Sequence, residues 1–216
     1  VGDKANDAVR IDGEAIRARV VGEGANLGVT QRGRVAYAQA GGRIDTDAID
    51  NSAGVSMSDH EVNIKILLGH AIATGALAAP ERDPLLAAMT DDVAALVLRD
   101  NYLQGEALSV AASRGPAALD RQAHLIRALE KAGRLDRALE FLPDDAEIAA
   151  LAAARRGLTR PELSVLLAYA KMSFDDELVQ SDLPDAPELA AELRRYFPPA
   201  LRERFAAQIA AHPLRR

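Results

Sequence analysis

Ile16-Arg17-Ala18-Arg19-Val20-Val21, followed by Gly22-Glu23-Gly24-Ala25-Asn26-Leu27-Gly28, is the stretch on which the fold reading turns. Apolar and charged residues alternate at first and then give way to an apolar pair, as in a strand entering a buried sheet, and Gly22-Glu23-Gly24 ends it. Downstream, Thr30 can cap a short helix through Ala40 with Ala36, Tyr37 and Ala40 on one face, and Gly41-Gly42 stops that helix. Arg43-Ile44-Asp45-Thr46-Asp47, β-branched at 44 and 46, reads as a second strand. The expectation is a strand–helix–strand unit in a parallel sheet. Two such strands alone leave both faces and both edges uncovered, so the unit reads as the end of a larger α/β domain.

From Glu61 onward the helical period takes over. Val62, Ile64, Ile66, Leu67, Leu68, Ile72, Ala73 and Leu77 give a wide apolar surface, as in a buried helix. Thr90 reads as the cap of a long helix with Asp91 and Asp92 in its first turn, where carboxylates favour the helix dipole. Gly115-Pro116 precedes a helix through about Lys131, and Gly133 and Pro143 bracket another short one. Thr159-Arg160-Pro161-Glu162 is a capping box with proline in the first turn, and Asp185-Ala186-Pro187-Glu188 repeats the device. The expected fold is therefore mainly α with a small α/β N-terminal part, divided into residues 1–60 and residues 61–216. No fixed 34- or 40-residue period recurs, which argues against a helical solenoid.

Composition narrows the function classes. The 216 residues carry 26 basic and 32 acidic side chains, a formal net charge of -6. Neither part is basic, so a polyanion-binding surface is not expected. Cysteine is absent, which excludes a disulfide, a thiolate zinc site and a cysteine nucleophile. No apolar run approaches the roughly 20 residues of a membrane span. The chain begins at Val1 without a signal-peptide pattern and ends at Arg216 without an acidic tail, and both ends read as cut from a longer chain.

Two clusters could carry chemistry. Gly22-Glu23-Gly24-Ala25-Asn26-Leu27-Gly28 has the spacing G-x-G-x-x-x-G rather than the dinucleotide fingerprint G-x-G-x-x-G, and Asp45 and Asp47 are unconvincing as its acidic partner. A plain glycine-rich turn explains the same residues, but the Asn26 amide could donate to and accept from a ribose or carboxamide. The second cluster, Asp50-Asn51-Ser52-Ala53-Gly54-Val55-Ser56-Met57-Ser58-Asp59-His60-Glu61, was expected to open a helix at Glu61, offering free N–H groups to an anion or simply capping through Ser58 or Asp59. Ser58-Asp59-His60 is no catalytic triad, because three adjacent residues cannot converge. His70, His124 and His212 read as isolated histidines, and the arginine pairs at 155–156, 194–195 and 215–216 as solvated faces.

Val20-Val21-Gly22-Glu23-Gly24-Ala25-Asn26, followed by Asn51-Ser52-Ala53-Gly54-Val55-Ser56-Met57-Ser58, resembles the end of the catalytic region of glutamate dehydrogenases. That family carries an E-G-A-N strand tip and an N-A-G-G-V-x-x-S segment entering a long helix. Ser52 and Ala53 stand where the family pattern has Ala and Gly. Leu98-Arg99-Asp100-Asn101-Tyr102-Leu103-Gln104, Leu158-Thr159-Arg160-Pro161-Glu162-Leu163 and Ser181-Asp182-Leu183-Pro184 are similar to the large bacterial NAD-specific subclass, so the resemblance covers nearly the whole chain.

The resemblance implies an incomplete Rossmann-like parallel sheet over residues 1–60, the last part of a nucleotide-binding domain, followed by a multi-helix C-terminal domain over residues 61–216. It implies NAD as cofactor, bound by Gly24, Ala25, Asn26 and Asn51, and L-glutamate or 2-oxoglutarate in a pocket lined by Gly54, Val55 and Ser58. It also implies a cytoplasmic enzyme whose partners are the rest of its own polypeptide and further copies of itself, with no metal, nucleic acid or membrane. The family's catalytic Lys and Asp, its other substrate lysines and its dinucleotide fingerprint lie upstream and have no counterpart, since Lys4 and Lys65 do not match those motifs. The chain alone is expected to be inactive. The rival reading is a non-catalytic helical assembly or regulatory module.

Overall fold

The computed structural model describes residues 10–24 and 28–215. In chain order the helices are α1 (Gln31–Gln39), α2 (Asp47–Asp50), α3 (Ser52–Ala73), α4 (Arg82–Ala88), α5 (Thr90–Ser113), α6 (Leu119–Lys131), α7 (Asp145–Ala153), α8 (Arg160–Gln180), α9 (Ala190–Tyr196), α10 (Pro199–Arg202) and α11 (Ala206–Ala210). The chain forms two compact units, one of Val1–Asn51 with Gln104–Lys171, the other of Ser52–Leu103 with Met172–Arg216.

In the first unit α6 supplies the core spine. Leu119, Ala123, Ile126 and Leu129 recur at helical spacing and pack with Leu108 of α5, Ile49 of α2 and Leu163 and Leu166 of α8. Each such aliphatic side chain removed from water contributes about 1.5–3 kcal/mol. Polar residues set where the helices begin. Thr30 Oγ1 accepts the Gly33 N–H at 3.1 Å ahead of α1. Asp144 and Glu147 exchange backbone hydrogen bonds of 2.7 and 2.8 Å ahead of α7. The expected Thr159–Glu162 capping pair opens α8, with Glu162 Oε2 accepting from both the Thr159 N–H and its hydroxyl at 2.6 Å.

In the second unit Ile64, Leu67, Leu68 and Ala71 of α3 pack against Phe197, Leu201, Phe205 and Ile209. Leu67, Leu68, Leu201, Phe205 and Ile209 are fully buried. Phe197 and Phe205, two of the chain's few aromatics, close this core. Among the described residues no helix is long and apolar enough to cross a membrane.

The described residues do not form the expected incomplete Rossmann-like parallel sheet or the α/β N-terminal part. Among the described residues there is no strand, only an isolated parallel bridge between Val20 and Arg43. Two hydrogen bonds make it: Val21 N–H to Arg43 O at 2.9 Å and Arg43 N–H to Arg19 O at 3.1 Å. Val20 is 64% exposed, so the alternating segment has no covered face to extend along. It is fastened instead by the Tyr37 hydroxyl, which donates to Ala18 O at 2.7 Å. The second expected strand ends after the bridge, because Asp47 to Asp50 turn into α2.

Three helix expectations also change. α3 begins at Ser52 rather than Glu61, so the second polar cluster from Ser52 onward lies inside the helix and Ser58 and Asp59 do not cap its start. Thr90 is itself the first residue of α5, and its hydroxyl donates to Ala87 O at 3.0 Å. Residues 137–141 form turns rather than a helix, ending at Phe141 with φ of 52°.

Candidate functional site

In the first unit, Glu23 is the pivot of the glycine-rich segment. It is 5% exposed, and its carboxylate accepts a fork from Arg34 of α1, Nε at 2.6 Å and an Nη at 2.9 Å. The same carboxylate accepts the Val29 N–H at 2.9 Å. The Glu23 N–H donates to Asp50 Oδ2 at 2.9 Å, and Arg34 also reaches Asp47 at 3.1 Å. Burial raises the Asp50 pKa above its ordinary value, reinforced by the charges of Asp45 and Glu23, while the Glu23 N–H and Arg160 act in the opposite direction.

Beside this cluster opens a cavity of about 610 Å³, within the usual range for a small-molecule site. Val21 and Gly22 form one wall, and Asp45, Asp50, Ser109 and Arg160 contribute the polar groups. A Cβ added at Gly22 would meet nothing within 4 Å, so the backbone there faces open space. Arg160, the first residue of α8, forks onto Asp45 at 2.8 and 3.0 Å and donates to Ser109 Oγ at 3.1 Å. The Asp50 and Asp45 carboxylates and the Ser109 hydroxyl suit a ligand part that offers hydroxyl or amide donors.

The residues singled out in the sequence fall in different places. Ala25 and Asn26 lie outside the described residues. Gly24 is exposed. Asn51 follows α2, half-buried, with its N–H on Asp47 O at 2.8 Å. The bond from Glu23 to Asp50 therefore brings together the residues that immediately precede Gly24 and Asn51. Gly54, Val55 and Ser58 belong to the second unit, exposed on α3, where the four-residue spacing puts Gly54 and Ser58 on one face. The Ser58 hydroxyl donates to Val55 O at 2.9 Å.

Sequence reasoning quoted Glu23, Asp45, Asp50 and Arg160 without giving them these roles, and it passed over Arg34. The Arg160–Asp45 pair spans 115 residues and no local pattern marks it, whereas Glu23 and Arg34 are 11 apart. One signal existed: a lone carboxylate between glycines at the end of an apolar run, with Arg34 sharing a helix face with Tyr37.

The second unit holds another polar cluster. Tyr196 donates to Asp59 Oδ2 at 2.6 Å and accepts from Asn63 Nδ2 at 3.0 Å. His60 stacks on the Tyr196 ring at 4.6 Å, with its Nε2 3.9 Å from Asp100. Burial, then the Asp59 hydrogen bond and charge, push the Tyr196 phenol above its ordinary value. Among the described residues no three His, Asp or Glu side chains converge as a metal site.

Comparison with known proteins assigns the family. A family model described as the bacterial NAD-glutamate dehydrogenase catalytic domain matches residues 1–111, and one described as the glutamate dehydrogenase C-terminal region matches residues 155–216. Proteins named NAD-specific glutamate dehydrogenase from Halomonas elongata, Mycobacterium tuberculosis and Pseudomonas aeruginosa are each 49% identical over all 216 residues. The chain spans 13% of the length of each of these relatives. With one family model over its first half and these relatives along its entire length, the chain belongs to the bacterial NAD-glutamate dehydrogenase family.

Proposed function

We propose that this chain is part of an NAD-dependent glutamate dehydrogenase, an oxidoreductase that converts L-glutamate, NAD+ and water to 2-oxoglutarate, ammonium, NADH and a proton. The observation that carries the reading is the 49% identity maintained over all 216 residues to proteins of that name. NAD, when bound, accepts the hydride. The chain's own groups bind and orient. Gly24, Ala25, Asn26 and Asn51 contact the nicotinamide side of the nucleotide, and Gly54, Val55 and Ser58 line the glutamate pocket. Residues 1–60 carry these contacts, and residues 61–216 are a helical region of the same enzyme.

The donor set supports a partial nucleotide site. Asp45, Asp50 and Ser109 can receive ribose hydroxyls or a carboxamide N–H. The pyrophosphate is less well served: the lining cations are Arg43 and Arg160, and the Arg160 fork is taken by Asp45. The acid–base groups come from elsewhere in the longer protein. Lys65 is paired with Glu61, and Lys171 donates to Gln104 at 2.8 Å, so neither serves the cavity. The enzyme acts in the cytoplasm as an oligomer.

Ser58 tests the substrate assignment. To serve a carboxylate its hydroxyl must rotate away from Val55 O, which an exposed serine can do. In the full-length enzyme Ser58→Ala should raise KM for glutamate roughly ten- to a hundredfold, the value of a hydrogen bond to a charged group. An unchanged KM removes Ser58 from the pocket.

A second role for residues 61–216, in assembly or regulation, is favoured by large apolar side chains exposed in the second unit: Leu98, Tyr102, Met172 and Phe174. Sedimentation of the full-length enzyme with Leu98 and Tyr102 changed to Ser should then show a smaller particle.

A further inference from the structure

Two buried charges and a third carboxylate do more than the glycine-rich turn requires. A turn closes through glycine and backbone bonds alone. Here a carboxylate adds a tie, because the Glu23 side chain reaches six residues forward to accept the Val29 N–H at 2.9 Å. Arg34 grips that carboxylate at 2.6 and 2.9 Å, and Glu23 and Arg34 are each 5% exposed. Desolvating such a pair costs several kcal/mol per ion, so hydrophobic residues of similar volume would serve stability as well. What they would not supply is placement. The carboxylate joins Glu23 to Val29 and to α1, and the Glu23 N–H ties the residue before Gly24 to Asp50, the residue before Asn51. Arg34 also reaches Asp47, at the other end of the same short helix.

We propose that Glu23, Arg34 and Asp50 are positioning residues that hold Gly24 in register with Asn51, so that the nucleotide contacts assigned to those two residues are aligned by this ionic clamp. Glu23 and Arg34 need not touch the nucleotide, whereas Asp50 also lines the cavity. The inference rests on the nucleotide reading of Gly24 and Asn51. It places the consequence of losing the clamp on cofactor affinity rather than on glutamate.

The test uses the full-length enzyme, with NADH affinity read by fluorescence titration alongside kcat and the two Michaelis constants. Three variants divide the possibilities. Glu23→Gln with Arg34→Met removes both charges, leaving neither buried alone. Asp50→Ala removes the acceptor of the Glu23 N–H. Asp50→Asn retains an acceptor oxygen without the charge. The first two should weaken NADH binding and raise KM for NAD+ by roughly tenfold to a hundredfold, the scale of a small misplacement, while KM for glutamate stays within about twofold. Asp50→Asn should recover most of the affinity lost in Asp50→Ala. A fall in melting temperature with NADH affinity unchanged, or an equal rise in both Michaelis constants, overturns the clamp and leaves the nucleotide reading standing. A wild-type enzyme that does not bind NADH overturns both.

Discussion

Glu162 shows how one residue can serve a helix and strain against its surroundings. It is 6% exposed, yet its Oε2 accepts from the Thr159 N–H and hydroxyl, both at 2.6 Å. Burial raises its pKa from the ordinary 4.5, and the Thr159 donors offset only part of that rise. Between the unfolded and folded pKa values the folded state binds more protons than the unfolded state. Stability therefore falls as pH rises from about 4.5 through that window. Glu162→Gln keeps an acceptor for Thr159 and removes the charge. The stability of the wild type relative to this variant should decline as pH rises above the ordinary carboxylate range, then level off, as read by urea unfolding at a series of pH values. A difference that does not vary with pH would remove burial as the dominant cause. The capping role of Glu162 was legible, because it is written within four residues. The Arg160–Asp45 pair was not, because its members are 115 residues apart and meet only in the folded unit.

At the scale of elements, local propensity misled where tertiary bonds decide. Ser52, Gly54, Val55, Ser56 and Ser58 are weak helix formers, so a loop up to Glu61 was the local expectation. The helix nevertheless starts at Ser52, whose hydroxyl hydrogen-bonds to Asn101 of α5, and the core side chains that follow from Ile64 fix its axis. A substitution separates the two descriptions. Ser56→Pro would be tolerated in a loop. Inside α3 it removes a backbone hydrogen bond and clashes with the carbonyl of Ser52, at a cost of about 3 kcal/mol. Thermal unfolding of the variant should therefore show a clear loss of stability, and an unchanged midpoint would restore the later helix start. The strand readings failed for a related reason. Alternation around Ile16 and β-branching at Ile44 and Thr46 are local signals, whereas a strand also needs neighbours. Among the described residues only one bridge forms, between Val20 and Arg43, and Val20 stays exposed.

For the whole molecule, the predominance of helix was legible, as were the cap at Thr30 and the Thr159–Glu162 pair, but not the helix starts near Ser52 and Thr90. The polar groups explain what the 216 residues can do by themselves. The cavity beside Gly22 offers Asp45, Asp50 and Ser109 to a ribose or carboxamide, but its Arg160 is already held by Asp45. A dinucleotide would therefore be recognised chiefly through its neutral half. A few hydrogen bonds, each worth about 1 kcal/mol net, must also overcome the entropy of association. The chain alone should bind NADH in the millimolar range, about −4 kcal/mol, as measured by isothermal titration. In a coupled assay with glutamate and NAD+ it should show no turnover, because Lys65 in α3 and Lys171 in α8 are engaged with Glu61 and Gln104. Micromolar binding would mean that the phosphates find partners the cavity does not account for. Turnover above background would mean that an acid–base pair lies within these residues after all, and Asp50, with its raised pKa at the cavity wall, would then be the first group to replace.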